Sequence, residues 1–128
     1  MVFDPVPVYM EALKEAFPDI KVFGGFIPPD ENDLPLMLVR SIIRRPATSP
    51  TTQWWSHVLS VEVQSTDPAV SQQLGADAEL VVNSVVGGQE HGSIAFTETV
   101  SVDVIEDGGF TPTRFRNVLT VELTARNL

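Results

Sequence analysis

Three stretches of two-residue alternation constrain this chain more than any other feature. His57, Leu59, Val61 and Val63 alternate with Val58, Ser60, Glu62 and Gln64. Phe96, Val100, Val102 and Val104 alternate with Thr97, Thr99, Ser101 and Asp103, and only Glu98 interrupts the apolar series. Phe115, Leu119, Val121, Leu123 and Ala125 alternate with Arg116, Thr120, Glu122 and Thr124. Successive side chains on a strand point to opposite faces, so each run predicts a strand with one apolar face and one polar face. The turn residues Glu106-Asp107-Gly108-Gly109 predict a hairpin between the last two runs. A sheet of this kind needs a second layer over its apolar face.

Two helical patterns can supply that layer. Residues 4–17 open with Asp4 as a cap and Pro5 at the first turn, carry Tyr9, Leu13, Ala16 and Phe17 at helical spacing, and stop at Pro18. Asp67-Pro68 repeats the start signal, and Val70, Leu74, Ala78, Val81, Val82 and Val85 follow until Gly87-Gly88, with Gly75 inside the run. Ile20–Gly24 reads as a short strand, and the glycines, prolines and Asx residues of 24–33 read as a loop. Leu36–Arg45 reads as a strand, although its pattern also fits a helix, and Pro46–Trp55 is a long polar connector. The expected order is α-β-β-β-α-β-β. It predicts an α+β fold, with two helices packed on one face of a four- to five-stranded mostly antiparallel sheet. Residues 1–128 are expected to form a single domain, in which Val61, Val63, Val100, Val102, Leu119, Val121 and Leu123 lie under the helix carrying Leu74, Ala78 and Val81.

Composition narrows function mainly by exclusion. A content of 43% hydrophobic and 20% charged residues is that of a folded chain. The longest apolar run, Leu36–Val39, is far short of a membrane span, and the first residues lack a signal-peptide pattern, so no membrane association and a location in the cytoplasm where the chain is made are expected. With no cysteine there is no disulfide, thiolate nucleophile or thiolate zinc site. Seventeen acidic against eight basic side chains give a net charge of −9, which disfavours a free-standing DNA-binding module.

Catalytic groups are sparse as well. His57 falls on an apolar strand face, where a structural role is expected. His91 lies in the glycine-rich stretch Gly87–Gly92 beside Glu90, with no further ligand at zinc spacing. Asp30-Glu31-Asn32-Asp33 lacks the alternate ligand spacing of a calcium loop. No phosphate-binding or nucleophile-elbow motif occurs, so neither enzymatic activity, a metal nor a cofactor is expected.

What remains points to contact with other proteins. Arg44 and Arg45 precede the long connector, Trp54 and Trp55 end it, and Arg114 and Arg116 flank Phe115. Arginine and tryptophan are the side chains most enriched at interface hot spots, which makes these six residues candidate subunit or partner contacts. The arginines would equally serve to balance local carboxylates. One tryptophan could cap the core edge while the other lies over a strand.

The whole-chain layout resembles the tail terminator, or tail completion, proteins of long-tailed bacteriophages, especially those of actinobacterial phages. The likeness lies in the order of a helix ending at Phe17-Pro18, a strand, a Pro/Asp loop, and a strand ending in Arg40-Ser41-Ile42-Ile43-Arg44-Arg45. A hydroxyl-rich loop, the strand Val61–Ser65 with an aspartate-led helix directly after it, and the ending from Thr113 to Arg126 complete the match. The resemblance implies a structural protein of the virion tail: a homo-oligomer, namely a hexameric ring on the head-proximal end of the tail tube. Such a ring ends tube polymerisation and contacts the tail tube protein and the head–tail connector, while DNA only passes through its lumen. A different head–tail joining protein and a small acidic protein- or ligand-binding module are the alternatives.

Overall fold

The computed structural model describes residues 3–46, 54–89 and 92–127. The first helix, α1 (Val6–Ala16), starts where Asp4 Oδ1 accepts a hydrogen bond from the Val6 N–H at 3.0 Å, and ends where the Phe17 N–H reaches the Leu13 carbonyl at 2.8 Å. Tyr9 and Leu13 form its buried stripe. Strand β1 (Lys21–Gly24) leads through a loop to β2 (Leu36–Pro46), and β3 (Trp54–Ser65) follows. Asp67 caps the second helix, α2 (Pro68–Asn83), by accepting the Ala69 N–H at 2.9 Å. A two-residue strand β4 (Gly87–Gly88) then precedes the long hairpin of β5 (Gly92–Asp107) and β6 (Arg114–Asn127).

These strands correct the expected fold. They form a six-stranded mixed sheet in the order β1-β2-β3-β6-β5-β4, curled into a half-barrel, and about half of the chain is strand. β1 and β2 pair in parallel, with Lys21 opposite Leu36, whereas the other pairs are antiparallel. Two physical causes separate this sheet from the expected four- to five-stranded, mostly antiparallel one. The segment between β1 and β2 is long enough for a parallel return, which a hairpin turn is not. Gly87-Gly88, a helix-stop signal in the sequence, also pairs with Ile94 and Ser93 and so adds a sixth strand.

One face of the curled sheet carries the core. Met37, Val39, Leu59, Val61, Leu119, Val121 and Leu123 pack there with Tyr9, Leu13, Ala78 and Val82 from the helices. The central strand β3 is shielded on both faces, since Ser60, Glu62 and Gln64, on the face opposite the core, are buried as well. β5 departs from the expected alternation. Bulges between Ile94 and Phe96 and between Thr99 and Ser101 shift its facing, so that Thr97 and Thr99 stand opposite the core residues Leu123 and Val121. Tyr9 shares a 2.6 Å hydrogen bond with Thr97 beneath this strand, and burial pushes the Tyr9 hydroxyl pKa up to about 12. Val100 and Val102, expected in the core, are 58% and 49% exposed.

Gly75 has a packing reason to interrupt α2. A Cβ at this position would run into the Asn117 side chain of β6, so a side chain here must displace that amide or lift the helix from the sheet. Gly75→Leu is therefore expected to lower stability by roughly 1–3 kcal/mol in urea unfolding, the range for overpacking, despite leucine's better helix propensity.

Candidate interface residues

The hairpin of β2 and β3 brings four of the six candidate residues to one end of the sheet. Arg44 stands opposite His57, Arg45 opposite Ser56, Pro46 opposite Trp55, and Trp54 opposite Arg126 of β6. The tryptophans thus belong to β3 rather than to the connector, because pairing continues to the end of both strands. Both are half-buried. The exposed Arg44 guanidinium lies 4.8 Å from the centre of the Trp55 ring, within cation–π range. The part of the Arg44–Trp55 connector from 47 to 53 lies outside the described residues, as do His91 and Glu90.

Arg114 and Arg116 occupy the opposite end. Arg114 is eleven positions before Ala125, the partner of Trp55, or roughly 35 Å along β6 at strand rise. Arg114 is buried: it donates to Gln64 Oε1 at 3.1 Å and to the Glu31 carbonyl at 2.9 Å, and its guanidinium stacks 4.0 Å from the Phe110 ring. It ties the 25–35 loop and the β5–β6 turn to the sheet. Arg116 pairs with the Glu62 carboxylate through Nε and approaches Asp107 at 3.7 Å. These two arginines therefore satisfy internal acceptors, while the exposed Arg44 sets its charge over the half-buried Trp55 ring.

His57 lies under the first cluster. It is 2% exposed, its Nδ1 has no hydrogen-bond partner among the described residues, and it borders an open depression lined by Phe3, Asp4, Pro5, Ser41 and Arg44. Burial, and secondarily the Arg44 charge, push its pKa below the usual 6.5, with Asp4 opposing weakly. The unfolded chain thus takes up a proton first as pH falls through about 6.5, so stability is complete above that pH and declines below it until the folded His57 also titrates. Replacing His57 by Gln is expected to flatten the decline in denaturant midpoint between about pH 6.5 and 5, and an unchanged slope would assign the decline to other groups.

The 30–33 acidic run is anchored through Lys21, whose Nζ reaches Glu31 at 3.2 Å and Asp33 at 2.9 Å. Among the described residues, no group of three or more His, Asp or Glu side chains is placed to hold a metal ion, and no helix is long and apolar enough to cross a membrane. The structure also exposes apolar side chains that the sequence pattern assigned to the core or left unassigned: Ile42 and Ile43 on β2, and Phe96, Val100, Val102 and Val104 on β5.

No protein-family model matches the sequence, and no curated protein matches it. Among solved structures, the chain is similar to one from the virion of a native gene transfer agent particle. The two share 12% identity and superpose with a TM-score of 0.67 over 95% of this chain and 92% of the other. They share a fold.

Proposed function

We propose that the chain is a structural protein of a phage-type virion and acts as a tail terminator: a non-enzymatic ring, hexameric by resemblance, at the head-proximal end of the tail tube. The observation that carries this reading is the fold likeness to a gene transfer agent virion chain over nearly the full length of both, found independently of the element order that resembles tail terminators. The ring stops tube growth and offers the head–tail connector a docking surface, with DNA passing through the lumen. Arg44, Arg45, Trp54 and Trp55 carry the subunit or partner contact, while Arg114 and Arg116 keep the opposite end of the subunit in shape for it. The net charge of −9 suits a lumen that repels the duplex and lets it slide.

Immunogold labelling of intact virions tests this placement. Label at one collar position between head and tail is the expected result. Label along the tail, on the head, or absent from particles would replace the reading with another virion role or with a free binding module.

A further inference from the structure

The sheet has two incompletely covered edges, and they are unlike each other. β1 covers β2 only from Leu36 to Val39, which among the described residues leaves Arg40–Pro46 without a strand neighbour on the outer side. β4 covers β5 only at Ser93 and Ile94, which leaves the rest of β5 up to Asp107 open. The open part of β2 carries Arg40, Arg44 and Arg45 and no acidic residue, whereas β5 carries Glu98, Asp103, Glu106 and Asp107 and no lysine, arginine or proline. Among the described residues, Arg40, Arg44, Glu98, Asp103 and Glu106 form no ion pair. Both edges also expose apolar side chains, Ile42 and Ile43 on one and Phe96, Val100 and Val102 on the other. A long apolar edge without lysine or proline is a hazard for a solitary protein.

We propose that the β2 edge of one copy pairs with the β5 edge of the next, so that the sheet continues from subunit to subunit. The occupant is a second copy because the two edges match in apolar content and in height, and at that height Glu98 meets the arginine-bearing stretch of β2. Ile43 pairs with Val58, Val58 with Glu122 and Glu122 with Glu98, which sets Ile43 and Glu98 at one level of the sheet. Within the subunit β5 runs antiparallel to β2, since β2, β3, β6 and β5 alternate in direction. Rotation about an axis along the strands preserves each strand's direction, so β5 meets the next β2 antiparallel and both copies keep their helices on the same side of the sheet. The contact joins unlike surfaces, which is the head-to-tail kind that closes into rings. The bulges after Ser41 and Thr99 fall at one level too, through Leu59 and Val121, and bulges supply the bend that a closed sheet needs.

This inference rests on the reading of the chain as a self-assembling virion component, and the test separates the two. Because the chain contains no cysteine, introduced thiols report contacts without background. Ile43→Cys and Glu98→Cys are made singly and together and treated with a short bis-maleimide, and Ser41→Cys with Ser101→Cys provides a second placement. The double variant is expected to give a ladder beyond the dimer, a mixture of the two single variants a dimer only, and each single variant alone no dimer. Adding Arg40→Glu and Arg44→Glu to the double variant is expected to abolish the ladder. Dimerisation of the single variants as efficient as that of the mixture, a ladder that survives the charge reversal, or no ladder at either placement overturns the edge pairing. If virions still carry the protein at the collar in that case, the edge proposal fails and the virion reading stands. A ladder from a protein that is absent from virions gives the reverse.

Discussion

Arg116→Ala is expected to destabilise the subunit by about 3–5 kcal/mol, the usual cost of removing one partner from a buried ion pair. Glu62 sits on the central strand at 2% exposure, and among the described residues Arg116 is its ion-pair partner. Deleting the guanidinium leaves a carboxylate cut off from water and unpaired. Because domains of this size have only about 5–15 kcal/mol of stability in total, the variant should unfold at much lower urea than the parent. Converting the second partner should restore most of the loss: Glu62→Leu with Arg116→Leu removes both charges and is expected to lie near the parent. A loss below about 1 kcal/mol for Arg116→Ala would show that water screens the pair as it does a surface bridge.

The second large effect concerns assembly rather than folding. Arg44→Ala with Arg45→Ala, or Trp54→Ala with Trp55→Ala, is expected to yield protein that no longer ends tails. Arg44 is exposed, so its own truncation should leave the urea midpoint nearly unchanged. The tryptophans are half-buried in β3, so their removal should cost some stability as well. Interface anchors of these types commonly contribute about 2 kcal/mol or more each, a factor of roughly 30 in affinity per anchor. Complementation of a phage lacking the parent gene distinguishes the possibilities. Folded arginine variants that complement fully would make this end of the sheet a passive connector, and unfolding of the tryptophan variants would make Trp54 and Trp55 core residues.

The elements themselves were legible in the sequence because caps and periodicity are local signals. Asp67 caps the helix it was expected to cap, Asp4 accepts the Val6 N–H from one position before the Pro5 cap of α1, and the alternation of His57–Gln64 and Phe115–Ala125 matches strands with a core face. The sheet's shape was not legible, since it depends on pairing at a distance. Nothing local to Lys21–Gly24 says whether it returns parallel, and Gly87-Gly88 is too short to carry a pattern of its own. In β5 two bulges each insert one residue, and a single insertion moves the following residues to the other face. That is how Phe96 reads as core and stands exposed, while Val100 falls in the second bulge; Val102, which that bulge returns to the level of Leu119, is exposed all the same.

The candidate contacts were legible by residue type and not by place. Arginine and tryptophan look alike in a sequence whether they meet a neighbour or an internal acceptor. The acceptors that occupy Arg114 and Arg116, Gln64, the Glu31 carbonyl and Glu62, lie at least fifty positions away. The exposed edges of β2 and β5 were invisible for the same reason, because an edge is defined by the strand that fails to cover it. The one local trace was Glu98 in the middle of an apolar face.

The most direct measurement of the central claim is the tail-length distribution, by electron microscopy, of particles made with and without this chain. With the chain present, tails of one length joined to heads are expected. Without it, tubes well beyond that length and unattached to heads are expected, and resupplying the parent chain should restore the single length. Tails of normal length in its absence, whether or not heads are attached, would contradict a role in ending the tube.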